Sequence, residues 1–327
     1  MKPLIKIVET IAPSVLCVLC VLCAAPGVLI AQDYPVRPLR IVTGAPGSTA
    51  EFAARMLGQG FSDAFGQSAV IDPRATGGAT IFGEIVARAA PDGYTLLIIG
   101  STLWLGPLFR RAPFDPLKDF SYIASLTDSP NILVVTPSLP VHNVRELIAY
   151  AKAKPRALNY STSGTGASPH LAAELFKSMT GTDITHVPYK GAGASVIALM
   201  SGEAQVSFAS AASVTAQINA GKLRALAVTG AKPYSVFPDL PTIAATVPGY
   251  EAGAATGFFA PARTPAAIIN RLNREALRIL ARPDVKAKFL NTGAEATGST
   301  PQQLAKLVSA DTAKWSKVIR DAGIRVE

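Results

Sequence analysis

The stretch "LNYSTSGTGASPHLAAELF", Leu158 to Phe176, changes character across one short loop. Leu158 to Thr162 is β-rich, Ser163 to Ala167 holds glycines and hydroxyls, and an apolar helical pattern begins at Ser168-Pro169. Ser168 suits a helix N-cap and Pro169 the first turn, while Gly181 stands where that helix should stop. A strand, a tight loop and a helix in this order make a βα unit, which sets the fold class as α/β.

The same alternation runs outward in both directions. Upstream, "LRIVT", "AVID" and "TLLIIG" read as strands, separated by helices from about Glu51 to Ala64 and from Ile81 to Ala90. This pace predicts a largely parallel sheet with its loops at the carboxyl edge. "NILVVT" leads into a second series, whose first helix carries a capping box of Asn143 and Glu146. "ITHVPY", "QVSF" and "LRALAVT" follow as strands, then a proline-rich connection and the strand "TGFFAP". Two long amphipathic helices are expected to close the chain, with Thr264-Pro265 and Thr300-Pro301 as their N-caps and Gln303 completing a capping box in the second. Their apolar stripes are Ile269, Leu272, Ala276, Ile279 and Leu304, Leu307, Val308, Trp315.

The first residues read differently. Lys2 and Lys6 precede an apolar run from Ile11 to Ile30, and a small residue, Ala31, stands before Gln32, so residues 1–31 are expected to be a signal peptide for export to the periplasm. An uncleaved anchor is the alternative reading. Cys17, Cys20 and Cys23 all fall in this segment, each after a leucine where a lipid-attachment motif needs a small residue. The mature chain therefore has no cysteine for a disulfide, a nucleophile or a metal. Losing Lys2, Lys6 and Glu9 takes the net charge from +9 to +8. Aromatics are too sparse around the basic residues for a nucleic-acid surface. Arg271, Arg274, Arg278 and Arg282 fall at helical spacing and read as a solvated face, with docking of an acidic partner as the alternative.

Three loops at strand ends carry candidate chemistry. Ser163, Gly164, Thr165, Gly166 and Ser168 open a helix, where free N–H groups and the helix dipole suit an anion. A capped, glycine-softened turn explains the same residues equally well. Thr43, Gly44, Ala45, Gly47, Ser48 and Thr49 form a matching loop after the first strand, and Glu51 either favours the helix dipole or receives a cationic group. Tyr189 and Lys190, in "THVPYKGAG", either meet a carboxylate or are a packed aromatic beside a solvated lysine. Ser101 and Ser210, each after a strand, complete the set. No G-x-S-x-G elbow surrounds Ser163 or Ser168, so a serine hydrolase with His170 as base is a minor alternative. His142, His170 and His186 have no metal-ligand spacing, and neither a dinucleotide fingerprint nor a P-loop occurs, so no metal or cofactor is expected.

Taken together, "YPVRPLRIV", "AAPDGYTLL", "PNILVVTPSLP", "LNYSTSGTGASPHLAAELF", "HVPYKGAGAS", "GKLRALAVTG" and "PGYEAGAATGFFAPARTPAAIINRLN" resemble the Bug, or TctC-like, receptors of tripartite tricarboxylate transporters. The resemblance implies a two-domain periplasmic binding protein of the Venus flytrap, type II-like class, with a hinged interdomain cleft and no catalytic activity. It implies domain 1 from residues 32–134 and 254–327, domain 2 from 135–253, a small carboxylate as ligand, membrane transporter subunits as partners, and a monomer. A signalling receptor for a membrane sensor shares these features. The chain departs from the family pattern at two places. Gly44, Ala45-Pro46-Gly47-Ser48 and Glu51 stand where a phenylalanine, a Pro-Pro-Gly-Gly turn and an aspartate are usual, and Ala209 stands where an acidic residue often meets an amino group. The second departure disfavours an amino acid as ligand.

Overall fold

The computed structural model describes residues 34–44, 48–74, 78–109 and 111–321, so the signal-peptide reading lies outside the described residues. Strands β1 (Leu39–Thr43), β2 (Ala69–Pro73) and β3 (Thr95–Gly100) are parallel, with helices α1 (Thr49–Phe65) and α2 (Gly78–Ala87) between them and the short α3 (Thr102–Leu105) after β3. Strand β4 (Phe120–Val135) then runs into the second series: α4 (Val144–Ala153), β5 (Asn159–Thr162), α5 (Ser168–Thr180), β6 (Thr185–Pro188), α6 (Ala192–Ser201), β7 (Val206–Ser210), α7 (Ala211–Asn219) and β8 (Arg224–Val228). The chain returns through β9 (Gly253–Pro261) and finishes with α8 (Ala266–Ala281), α9 (Pro283–Asn291), β10 (Glu295–Ala296) and α10 (Pro301–Asp321).

The sheet order is β2-β1-β3-β9-β4-β7-β5-β6, with β8 and β10 also pairing with β4. It is mixed, which corrects the expectation of a largely parallel sheet. β9 runs antiparallel to both β3 and β4, and β4 runs antiparallel to β7 and β8. The parallel pairs stay within each series, and the antiparallel strands β4 and β9 join one series to the other. From Phe120 to Pro130, β4 pairs with β9; from Asn131 to Val135 it pairs with β7. β4 is thus a single strand shared by two lobes. Its register slips between Tyr122 and Ala124 and again between Ser125 and Thr127. Such bulges break the two-residue alternation, which is why only "NILVVT" reads as strand in the sequence.

The caps show how closely local chemistry dictates the helix ends. The Glu146 N–H donates to Asn143 Oδ1 at 2.9 Å, and Glu146 Oε2 accepts from the His142 N–H at 2.7 Å. At α10 the box is reciprocal: the Thr300 N–H donates to Gln303 Oε1 at 2.8 Å and the Gln303 N–H to Thr300 Oγ1 at 3.2 Å. Thr264 does not cap α8. Pro265 occupies that position, and Thr264 Oγ1 donates to the Pro261 carbonyl at 2.8 Å. Three helices, not two, close the chain, because Arg282 before Pro283 adopts ψ 132° and ends α8.

Residues Arg37–Glu327 form one compact unit. Leu272, Ala276 and Ile279 on α8 and Leu304, Val308 and Trp315 on α10 are buried, as their stripes predict. Each such large apolar side chain contributes about 1.5–3 kcal/mol on burial. Arg278 on the outer face of α8 pairs with Glu275, and Arg282 with Asp284, so these basic residues form a solvated face.

Candidate ligand-binding site

A cavity of about 470 Å³ lies where the two lobes and the shared strands meet. The first lobe gives it Gly44, Ser48, Thr49, Ser101 and Thr102; the second gives Ser163, Gly166, Ser168, Ser195 and Ser210; β4 and β9 give Ser129, Asn131 and Thr256. Phe82, Ile99, Leu105, Leu171 and Val196 form an apolar wall. No charged side chain lines it among the described residues.

Its donors come from helix starts. α1 reaches the cavity with Ser48 and Thr49, α5 with Ser168 and Pro169, α6 with Ala192, and α7 with Ser210 and Ser213. The first N–H groups of a helix have no carbonyl partner within it, and the macrodipole adds roughly half a positive charge there. Four such ends, one from the first lobe and three from the second, create a site for negative charge without a cation. Ser48 is the N-cap of α1, where its Oγ accepts from the Glu51 N–H at 3.2 Å. Gly44 leaves it room, since a Cβ there would stand 3.3 Å from that oxygen.

Ser168 is not the cap of α5. Ala167 holds that position, and Ser168 begins the helix proper. Its Oγ instead accepts from Asn131 Nδ2 at 2.7 Å, a contact from the shared strand to the start of the helix that follows the Ser163 to Ala167 loop. Gly166 sits at φ 79° and Gly164 at φ 139°, conformations that explain the two glycines.

Beneath this loop the second lobe holds a stack of rings. The Gly166 N–H donates to His170 Nδ1 at 3.1 Å, and the His170 and His186 rings lie 4.3 Å apart with Tyr160 4.9 Å from His186. Thr162 Oγ1 meets His186 Nε2 at 2.8 Å, and Tyr160 donates to Glu174, which also accepts from Lys177 at 2.7 Å. Burial lowers the pKa of both histidines, that of His186 to about 4, and burial followed by the Glu174 charge raises that of Tyr160. Both imidazoles are therefore neutral near pH 7. His170 is buried scaffolding: no hydrogen bond joins it to Ser163 or Ser168 among the described residues.

Of the residues singled out in the sequence, Gly44, Ser48, Thr49, Ser101, Ser163, Gly166, Ser168 and Ser210 line the cavity. Ala45 and Gly47 lie outside the described residues. Thr43, Gly164, Thr165, Glu51 and Tyr189 stand off the wall. Thr43 is wholly buried, Glu51 turns back to an ion pair with Arg55, and the Tyr189 hydroxyl sits beside Glu203. Ala209 does line the cavity, with no acidic group in its place. Asn131, Ser129 and Thr256 went unnoticed. The available signal was a polar residue at the mouth of an apolar strand run, as in "NILVVT" and "TGFFAP".

The sequence profile described as a tripartite tricarboxylate transporter family receptor matches residues 53–324. BugT of Bordetella pertussis is 33% identical over 304 residues, covering 91% of this chain and 93% of BugT. Among solved structures, R. palustris Rpa4515 with adipate superimposes with a TM-score of 0.77 at 38% identity, covering 90% of this chain and 99% of that one. MatC from Rhodopseudomonas palustris with bound malate gives 0.72 at 29% identity, covering 88% and 100%.

Proposed function

The chain belongs to the tripartite tricarboxylate transporter receptor family, and from that premise we propose that it is a periplasmic receptor for a small carboxylate with an apolar carbon body, delivered to a membrane transporter. The observation that carries this reading is the uncharged cavity with helix starts aimed in from both lobes. A carboxylate in such a place is stabilised by several N–H and O–H donors, without which its burial would be costly. The wall of Phe82, Ile99 and Leu105 suits methylenes or a ring between polar ends. With donors at two sides, a short dicarboxylate spans the site best, in keeping with adipate and malate in the two related structures.

The same surfaces select against other ligands. An amino group would find no carboxylate on the wall, and a polyhydroxylated molecule would leave its hydroxyls unpaired against the apolar side. The reading assigns no catalysis: Ser168 accepts from Asn131, and His170 Nδ1 is occupied by the Gly166 N–H, so the serine–histidine pair of a hydrolase is not assembled. The lobes act as two domains that close about β4 and β9, with residues 1–31 as the export signal.

A thermal-shift panel of mono-, di- and tricarboxylates tests this on the purified protein. Ligand at 100 times its Kd should add about 2.7 kcal/mol of stability. If copurified ligand has been removed and no carboxylate raises the Tm, the reading is wrong. Capture of a membrane transporter subunit, rather than a sensor kinase, by the ligand-loaded protein tests the transport role.

A further inference from the structure

Gly293 stands in the turn that leaves α9, pressed against the start of α7. Its φ is 69°, and an added Cβ would lie 2.7 Å from the Ala212 amide nitrogen and 3.2 Å from Ala211 Cβ. Main chain meets main chain here with no room for a side chain between them.

The same turn of α7 reaches the cavity with Ser210 and Ser213, whose hydroxyls are joined at 3.0 Å. Ala211 and Val214 anchor it in an apolar core that also holds Leu199 and Tyr234. Two residues past Gly293 the chain grips the edge of that core again. Glu295 Oε1 accepts from the Ser235 N–H at 2.9 Å and from the Ser235 hydroxyl. The segment therefore touches the second lobe at two points, both tied to one core.

Its other end belongs to the first lobe. Phe289 on α9 is wholly buried and meets Phe52 of α1 edge-on, with ring centroids 5.1 Å apart. α1 is the helix that brings Ser48 and Thr49 to the cavity. The turn between is held to the end of α9: the Thr292 and Ala294 N–H groups donate to the Phe289 carbonyl at 2.8 and 3.2 Å, and the Gly293 N–H to the Leu290 carbonyl at 2.9 Å. Phe289 to Glu295 thus bridges two ligand-facing helices, one from each lobe, while none of its own residues is on the cavity wall.

We propose that Phe289 to Glu295 is a latch that fastens the α7 start to the first lobe, with Gly293 and Glu295 as positioning residues for the bound carboxylate. This rests on the carboxylate reading given above. Opening the lobes about β4 and β9 parts Gly293 from Ala212 and Glu295 from Ser235, so the two contacts favour the arrangement that holds the ligand.

Hydrogen exchange on the ligand-free protein tests the latch without any carboxylate. Gly293→Ala should speed exchange in the peptide from Ser210 to Gln217. Gly66→Ala is the control, because Gly66 has φ 65° and nothing within 4 Å of an added Cβ, so it brings the same backbone strain without the crowding. It should leave that peptide unchanged. Glu295→Ala, which removes the Ser235 contacts and strains nothing, should act in the same direction as Gly293→Ala. Calorimetric titration with adipate and malate gives the second readout: whichever binds should bind Gly293→Ala roughly fivefold or more weakly than Gly66→Ala, as for coupling between separate sites. Unchanged exchange at the α7 start in both Gly293→Ala and Glu295→Ala, or affinity in Gly293→Ala equal to that in Gly66→Ala, would overturn the latch. Failure of both acids to bind the unaltered protein would count against the carboxylate reading instead, with the exchange result still deciding the latch.

Discussion

Asn131 Nδ2 donates to Ser168 Oγ at 2.7 Å, tying the strand shared by the two lobes to the helix start that opens onto the cavity. Asn131 is only 2% exposed, and its backbone is fixed by Thr229, whose Oγ1 accepts from the Asn131 N–H at 2.8 Å. A side chain held this firmly positions Ser168 without itself carrying charge.

Replacing it separates position from charge. Asn131→Ala should lower carboxylate affinity by roughly tenfold, the worth of one to two net hydrogen bonds. Asn131→Asp places a negative charge on the wall and should lower affinity by about a hundredfold through like-charge repulsion. Isothermal titration with the best acid of the panel checks both, and equal affinities for the two variants would show that the wall is not sensed by an anion.

Gly166→Ala should damage both binding and stability. At φ 79° an alanine is strained by about 1–2 kcal/mol, although its Cβ would meet the Phe109 ring only in ordinary contact at 3.5 Å, so the cost is one of backbone conformation. The expected readout is a fall in Tm of several degrees together with weaker ligand binding.

Glu51→Gln should leave carboxylate affinity within about twofold of the parent, as for a substitution away from the site. Glu51 is paired with Arg55 and stands off the cavity wall. A large change in affinity would put Glu51 back among the ligand contacts.

The stacked histidines set a pH window. For His186 the folded-state pKa is lowered to about 4, below the ordinary value of 6.5, and His170 is lowered as well. Above the ordinary value both states are neutral and the pair has no effect. As pH falls through it, the unfolded chain takes up protons that the folded chain refuses, so stability is lost from pH 6.5 down to about 4 and levels off below. The groups facing the stack are Tyr160, Glu174, Lys177 and Thr162. Protonated His170 could no longer accept from the Gly166 N–H, so ligand affinity should hold while the folded protein keeps this imidazole neutral and fall only once it is protonated, below the ordinary histidine value. Denaturant midpoints measured from pH 7 to 4 test the sign; the loss attributable to these residues should shrink in His186→Gln.

Much of this was legible because local chemistry decides it. The strand ending at Thr162, the glycine at the end of α5, and the Asn143–Glu146 and Thr300–Gln303 boxes depend on residues a few positions apart. The family resemblance was legible in the same way, as a series of short segments in order. What the sequence hid is long-range. The bulges in β4 erased its alternation, so the shared strand looked like a short one. Ser168 has the chemistry of a cap, but the Asn131 contact, 37 residues away, takes its hydroxyl and leaves Ala167 at the cap. Glu51 had two readings at sequence level, and the position of Arg55 one turn later turns it toward the ion pair.

The central claim is that the cavity holds a carboxylate by neutral donors around an apolar wall. Native mass spectrometry of protein purified without denaturation, followed by identification of the released molecule, tests it most directly. The account predicts a carboxylic acid with a short aliphatic or aromatic body, displaced by excess of the same acid and absent from Asn131→Asp. Recovery of an amine, a sugar or a nucleotide from the same cavity would contradict it.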